Sequence, residues 1–541
     1  MFLGQATVYV LGLLHFLPWL RSLRCVFLPY YFVVVNLAAA VGVISCLAGT
    51  RITIWTPERV RNSAPRRSGV AIGAITILGF LFAFAYFMLG WAGVYWISFA
   101  LMAYTYAGYQ LLVSTLALFR KRTLRETVCS AVLTNNNSRP HSELPLVSVI
   151  IPAYNEESVI RAKLENSLSM DYPAERLEII VASDGSSDRT VEIAQQFQAR
   201  HVRLLDFSER RGKAAVLNDA VCASRGSVLC LTDANVLCRR DALLRLVERL
   251  QDHSVGAVSA EVRLASEQAN YGSGEELYYY LERLVQRSES RLGSMIGLDG
   301  GMYVIRREYF EPLRNDTILD DFTTAMQVMR SGKRIVYESR AVASENGTAT
   351  ALEEFRRRVR VSAGSVQLLL RGPLATLAQP VEVWKFVSHK LLRWMSPLWL
   401  VTFLVSGIML WNIALAYRVA GAAQFIFYAI SLLAGISVSF RRTKLGGVPF
   451  YFTMSHVAIA VGMVLGLLNR QKVTWAKADR GMPTLEHEVA IASSAGLTPV
   501  GTHRSTSSSA GPVPAGTHLS ASSSAAPVPA GTHLSATSEA H

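Results

Sequence analysis

The apolar positions of this chain fall into two regimes. The first 120 residues hold four apolar runs, at 7–20, 26–47, 70–91 and 94–118. The last three each reach the roughly 20 residues that carry a helix across a bilayer. The first is short and contains Pro18, which suits the membrane interface. After a polar stretch the pattern changes at Leu146. β-rich runs at 146–154, 177–183, 202–206 and 228–232 alternate with helix-like stretches at 156–169, 188–200 and 213–224. Such alternation predicts βαβ units and a mostly parallel sheet. A helix at 242–250, a strand at 255–261, a long helix at 275–291 and a shorter one at 323–331 continue the domain. Basic amphipathic helices are expected at 352–370 and 381–394, a composition suited to the interface. Apolar runs return at 397–417, 425–440 and 448–468.

This reading divides the chain into an N-terminal transmembrane region (1–126), a linker (127–145), an α/β domain (146–350), interface helices (351–396), C-terminal transmembrane helices (397–470), a juxtamembrane segment (471–490) and a tail (491–541). The tail is rich in Ser, Ala, Thr and Pro, and GTH recurs from Gly501, Gly516 and Gly531. That composition predicts disorder, and the recurring histidines read as repeat expansion rather than a metal site.

Composition supports the membrane reading, with 51% hydrophobic and 17% charged residues. The net charge of +14 suits anionic lipid, a phosphorylated substrate or nucleic acid. Many of the cations flank apolar runs, however. Arg51, Arg59, Arg61, Arg66 and Arg67 follow the second run, and Arg120, Lys121, Arg122 and Arg125 follow the fourth. The positive-inside rule puts both clusters, and the domain after them, in the cytosol. Nucleic acid is not an expected partner. Cys25, Cys46, Cys129, Cys222, Cys230 and Cys238 form no CxxC pair and read as free thiols in a reducing compartment. No cleaved signal peptide is expected.

One internal repeat stands out. Pro29, Tyr31, Phe32, Ala38, Ala40, Val41, Gly42, Leu47 and Trp55 recur 420 positions later, so that 29–55 overlies 449–475 without a gap. The alternative is a coincidence of apolar composition; the expectation is that the N-terminus is the remnant of a second, related protein fused in front. It brings a conflict of sides: Trp55 belongs in the cytosol, but three crossings after the domain would put Trp475 outside. Either one C-terminal run does not cross or another element does.

The candidate chemistry sits at the polar ends of the strands: Ala153-Tyr154-Asn155-Glu156, Asp184-Gly185-Ser186-Ser187-Asp188 and Thr232-Asp233-Ala234-Asn235. In an open α/β sheet ligands bind beyond the carboxyl ends of parallel strands. Acidic tips meeting in one crevice suit a divalent metal and a nucleotide. Arg210-Arg211-Gly212-Lys213 adds the cations that suit a diphosphate.

From Leu146 to Gly364 these motifs (VSVIIPAYNEE, SDGSSD, RRGKAAVLNDA, TDAN and LDDF) resemble, in content and order, the family 2 glycosyltransferases with the GT-A fold. With its flanking apolar helices the chain is similar to the membrane-integrated branch, which includes cellulose, chitin, hyaluronan and poly-N-acetylglucosamine synthases. The resemblance implies a cytosolic, Rossmann-like GT-A domain in a multi-pass protein of the bacterial inner membrane. It implies transfer, with inversion, from a nucleotide-diphosphate sugar to a glycan or lipid acceptor, aided by Mg²⁺ or Mn²⁺. By the same resemblance Ala153, Glu156, Asp184 and Lys213 bind the nucleotide. Asp233 contacts the metal-bound diphosphate, with Asn235 where the second acid of the DxD motif is usual. Asp321 is the general base, Asp320 orients the site, and Asp299, Gly300 and Gly301 lie near the acceptor. Processive synthases carry QxxRW. The matching stretch here is Arg357-Arg358-Val359-Arg360-Val361, so Arg357 and Arg360 face the diphosphate but the Trp is a Val. Polymer synthesis, transfer of one sugar to a lipid or short acceptor, and an inactive scaffold remain the readings to separate.

Overall fold

Every residue of β1 (Val147–Ala153) is buried. A continuous run of branched residues behaves this way at the centre of a parallel sheet covered on both faces. β1 pairs in parallel with β2 (Leu177–Asp184) and with β4 (Val228–Thr232), and β3 (Val202–Phe207) pairs in parallel with β2. The computed structural model describes residues 69–120, 144–265, 273–348, 350–371 and 379–471, all within one compact unit. The expectations for the runs at 7–20 and 26–47, for the N-terminal half of the repeat, for most of the linker and for the juxtamembrane segment and tail lie outside the described residues. So do Cys25, Cys46 and Cys129. Cys222, Cys230 and Cys238 are free thiols.

The sheet order is β3-β2-β1-β4-β7-β6-β8-β5. β7 (Met302–Arg306) runs antiparallel to both β4 and β6 (Val255–Ala265). β8 (Arg334–Asn346) is parallel to β6, and the short β5 (Leu237–Cys238) is antiparallel to β8. The sheet is therefore parallel where strands and helices alternate and mixed beyond β4. β5, β7 and β8 are the strands that the alternation of elements does not predict. The consequence for function is direct: β7 starts where β4 ends, with Met302 opposite Thr232.

Two apolar cores cover the sheet. One joins it to α3 (Ile160–Leu168), α4 (Thr190–Gln195) and α6 (Ala242–Arg249). The other begins with α5 (Lys213–Ala223) and α8 (Asp320–Arg330) and continues through Phe386, Leu391, Leu392, Met395 and Trp399 to Leu78. The domain and the apolar helices thus share one continuous core.

Among the described residues, three helices are long and apolar enough to cross a bilayer: Ile75–Phe119, Leu415–Ile436 and Lys444–Leu467. Pro380–Trp394 and Ser396–Met409, bent by 59°, form a further candidate as a pair. The first stretch has 45 residues. A straight helix of that length would measure about 65–70 Å against a hydrocarbon core of about 30 Å. It turns back instead at Gly90, where φ is 58° and ψ is −144°. Phe82 stacks on Trp399 at 5.4 Å and Ser98 Oγ lies 2.8 Å from Thr402 Oγ1. Residues equally far on either side of Gly90 therefore reach adjacent turns of one helix, which only a hairpin allows. α1 (Gly69–Ala103) thus supplies both an outgoing and a returning arm, as the separate runs at 70–91 and 94–118 predict. A π turn at Tyr104–Gly108 leads into α2 (Tyr109–Phe119).

α7 (Ser273–Arg291) precedes β7, and α9 (Ala351–Arg371) follows β8. α10 (Pro380–Trp394, with a π turn at Phe386–Leu391) and α11 (Ser396–Met409) lead to α12 (Leu415–Ile436) and α13 (Lys444–Leu467). α9 does more than lie at an interface. Its Arg358 bonds Tyr451, its Ser362 Oγ donates to the Ile459 carbonyl at 2.9 Å, and Val366 packs on Gly466. α13 therefore follows α9 in the same direction for most of its length.

Candidate active site

Several chain segments meet at the carboxyl edge of the parallel strands. The tip after β4 is fixed from two sides. Thr232 Oγ1 donates to the Gly301 carbonyl at 2.8 Å, and the Asp233 N–H reaches the same oxygen at 3.3 Å. From below, Lys163 Nζ donates to Thr232 Oγ1 at 2.8 Å and to the Val236 carbonyl at 2.5 Å. Lys163 is fully buried. Burial holds its ammonium below the usual lysine value. The antiparallel β7 explains why Asp299, Gly300 and Gly301 stand beside Asp233: they form the loop that feeds β7.

Asp233 and the acid pair face each other across Lys213. Lys213 Nζ lies 2.9 Å from Asp233 Oδ1 and 3.0 Å from Asp320 Oδ2. Burial opposes the ammonium, but Asp233 and Asp320 outweigh it and hold the lysine above its ordinary value. Asp321 follows Asp320 in the first turn of α8 and accepts the Phe322 N–H at 2.6 Å. Burial, and then the neighbouring Asp320 carboxylate, raise Asp321 to about 6. A Cβ on Gly300 would lie 2.9 Å from Asp321 Oδ2, so a side chain at that position would fill the space the carboxylate faces. Asp299 is raised to about 7 by burial and by Glu345, against the Gly301 N–H bonded to it at 3.2 Å.

The residues expected at the nucleotide surround a second loop. Asp184 is fully buried, and its oxygens accept the N–H groups of Arg211 at 2.6 Å and Gly212 at 2.9 Å. It holds the Arg210–Gly212 loop in place. The Arg210 guanidinium lies over the Tyr154 ring, 3.6 Å from its centroid. Ala153 closes β1 beside Ser183 of β2, and the Glu156 N–H donates to Thr190 Oγ1 at 2.7 Å.

The two arginines of α9 separate. Arg360 turns toward the acids: its guanidinium reaches the Ile318 carbonyl at 3.4 Å, and Asp320, Asp321 and Asp233 all act on it. Arg357 turns away, to Glu354 at 2.7 Å and Tyr279 at 3.2 Å. The structure thus brings Asp233, Lys213, Asp320, Asp321, Gly300 and Arg360 together and leaves Arg357 in a separate ion pair. Val361, at the position of the Trp of QxxRW, is 40% exposed.

Lys163 is the site-supporting residue that motif reading misses, and the stacking of Arg210 on Tyr154 is a contact it does not foresee. For Lys163 a signal was present: Ile160, Lys163, Leu164 and Ser167 form the buried face of α3. A lysine on a core-facing stripe needs a partner.

Residues 148–314 match the family model described as Glycosyl transferase family 2. Over these residues the GT-A-like sheet is similar to the family 2 glycosyltransferases. The chain is 30% identical over 246 residues to "Probable glycosyltransferase YdaM" of Bacillus subtilis (strain 168), covering 42% of this chain and 57% of that protein. It is 28% identical over 244 residues to a poly-β-1,6-N-acetyl-D-glucosamine synthase of Staphylococcus epidermidis, covering 44% and 58%. A β-monoglucosyldiacylglycerol synthase of Trichormus variabilis is 25% identical over 269 residues, 47% and 57%. The chain spans just over half the length of these relatives. The resemblance is thus to family 2 glycosyltransferases, in a chain with apolar helices of its own, and the relatives named here are not cellulose, chitin or hyaluronan synthases. Among solved structures, the mannosyltransferase of Pyrobaculum calidifontis in complex with GDP-Man and Mn²⁺ superposes with a TM-score of 0.51 at 23% identity, over 70% of this chain and all of that one. That likeness concerns the fold.

Proposed function

We propose that the protein is a membrane-bound glycosyltransferase that takes a nucleotide-diphosphate sugar from the cytosol and transfers the sugar, with inversion, to a glycan or lipid acceptor. The observation that carries this reading is the pair of facing corners in one crevice. Asp233 and Lys213 form one, and Asp321 against the open Gly300 forms the other. The donor's diphosphate belongs to the first corner and the acceptor hydroxyl to the second. Asp184 orders the loop that faces the nucleoside.

The residues fit a divalent cation of the Mg²⁺ or Mn²⁺ kind, with one reservation built into the sequence. Among the described residues no three His, Cys, Asp or Glu side chains converge on one point. Asp233 and the amide oxygen of Asn235 would be the protein groups to hold such a cation, with phosphate and water supplying the rest, as is common for Mg²⁺. The Asn235 amide has a buried Nδ2 without a hydrogen-bond partner, a donor that an acceptor such as a phosphate oxygen would satisfy. When bound, the cation offsets the charge that develops on the leaving diphosphate. Lys213 shares that task and keeps Asp233 and Asp320 from repelling each other. Asp321 takes the proton of the acceptor hydroxyl as its oxygen attacks the anomeric carbon.

Two acceptor readings stay close. The named relatives include one polysaccharide synthase and one synthase of a glycolipid. Val361 favours a single transfer, because a valine cannot stack on the sugar end of a growing chain. Incubation of the purified full-length protein with UDP- and GDP-sugars, with lipid and oligosaccharide acceptors, is expected to release nucleoside diphosphate with one sugar nucleotide and to yield a short product. Release with none overturns the reading, and a long polymer overturns the single-transfer preference. Asn235→Asp is expected to lower the Mn²⁺ concentration for half-maximal activity about tenfold, since a second carboxylate adds charge to the ligand set. A titration of activity against Mn²⁺ checks it.

A further inference from the structure

The loop that carries Asp299 and Gly300 is tied to the membrane helices by one carboxylate, which the mechanism above does not use. Glu289 lies near the end of α7 and is fully buried. Its Oε1 accepts the Tyr109 hydroxyl at 2.6 Å and lies 2.8 Å from His389 Nδ1. Its Oε2 accepts the N–H of Ile296 at 3.0 Å. Three elements of different origin therefore meet on one group: the start of α2 in the apolar hairpin, the π turn of α10, and the loop leading to Asp299.

A second clamp acts on the same loop. Lys385 Nζ donates to the Ser294 carbonyl at 2.8 Å and to the Glu289 carbonyl at 3.4 Å, with Glu382 as its charge partner at 3.1 Å. His389 is held on its far side by Glu282, 3.2 Å from Nε2. Lys390 (2.8 Å) and Arg393 (2.5 Å) neutralise that glutamate. The two π turns face each other here, with Tyr104 hydroxyl 2.8 Å from Ser388 Oγ. π turns insert an extra residue at some local cost and recur at functional sites. Here they aim Tyr109 and His389 at the same carboxylate.

We propose that Glu289 is a positioning residue through which Tyr109 and His389 of the membrane-side helices set the acceptor loop against Asp321. The start of the loop is also held by Lys385 and by β8, where the Met295 N–H donates to the Ile335 carbonyl at 3.0 Å, but Ile296 is bonded by Glu289. From Ile296 it runs to Asp299, whose N–H is held by Ser259 Oγ at 3.1 Å, and then to Gly300 against Asp321. A shift of the Tyr109 helix or of α10 moves the Glu289 carboxylate, and with it the backbone that flanks the base. The donor corner hangs mainly from Lys163 and Lys213 and meets the loop only at its far end, where the Gly301 carbonyl accepts from Thr232 Oγ1 and the Asp233 N–H. Membrane-side packing thus acts first on the acceptor half of the reaction. The inference rests on the glycosyltransferase reading for its consequence in catalysis, but not for the coupling itself.

The test uses the full-length protein in lipid nanodiscs with Tyr109→Phe, which removes one oxygen and keeps the ring. Hydrogen exchange is followed in peptides covering 294–301, with those covering β2 (177–184), which pairs only with β1 and β3, as the internal control. Loss of one hydrogen bond to a buried carboxylate is expected to speed exchange in 294–301 about tenfold and leave the control unchanged. In the same variant kcat for transfer to the acceptor is expected to fall about tenfold, while the KM for the sugar nucleotide and its slow hydrolysis by water stay at wild-type values. Glu289→Gln repeats the measurement from the other partner. Unchanged exchange in 294–301 in both variants overturns the proposal, as does an equal rise in both regions, which reports general loosening. If wild type turns over no sugar nucleotide, the enzymatic reading fails while the exchange result still decides the coupling.

Discussion

Asp321→Asn is expected to abolish transfer while leaving the fold and nucleotide binding intact. The magnitude follows from what the side chain does. A positioned general base contributes roughly 10²–10⁴-fold. The amide keeps the shape of the carboxylate and still accepts the Phe322 N–H, but it cannot take a proton. It also removes one of two adjacent negative charges, so stability is expected to hold or rise. A thermal melt and a nucleoside-diphosphate release assay separate the two effects, and a folded mutant with wild-type turnover sinks the assignment. The wild-type pH profile follows from the same carboxylate. Its proton affinity is raised, to about 6, by burial and by Asp320. Below that value the group is protonated and cannot act as a base, so kcat should fall about tenfold per pH unit on the acid side and level off above it. In Asp321→Asn the residual activity should lose this acid limb.

The motifs made most of the donor corner legible, because they lie at strand ends where the alternation of elements is clear. Asp184, Lys213 and Asp233 could be placed from Leu177–Asp184, Lys213–Ala223 and Val228–Thr232, each of which forms as the pattern predicts. The acceptor side was harder to read. Asp299, Gly300 and Gly301 are brought to Asp233 by β7, an antiparallel strand whose apolar run is too short to announce its partner. The arginines of α9 also show a limit of motif transfer. Positions 357 and 360 sit three residues apart on one helix, but a buried glutamate one turn earlier, Glu354, captures the first. Only the second is free to turn to the acids. Lys163 was visible only as a breach of pattern, and Glu289 was not visible at all. Its partners, Tyr109 and His389, lie 180 and 100 positions away. No local period encodes such a meeting.

Asp233→Ala carries the other large expected effect. In the structure the Lys213 ammonium is shared between Asp233 and Asp320. Removing the first leaves Lys213 with Asp320 alone, so the lysine keeps a partner and the fold should survive. The donor corner, however, loses its one carboxylate. Asn235 can offer only a neutral amide oxygen, too little charge to hold a divalent cation against water. Lys213 then faces the diphosphate without help, and turnover should drop about 10²–10³-fold, in the range for loss of one preorganised electrostatic partner of a leaving group. Two readouts fix the cause. Raising Mn²⁺ into the millimolar range should recover little of the activity. Nucleoside-diphosphate binding, followed by calorimetry with and without Mn²⁺, should lose its metal dependence. Retention of a Mn²⁺-dependent affinity in Asp233→Ala would move the cation away from the β4 tip, and with it the donor corner as drawn here. Asp299, Asp320 and Asp321 would then be the carboxylates left to hold it.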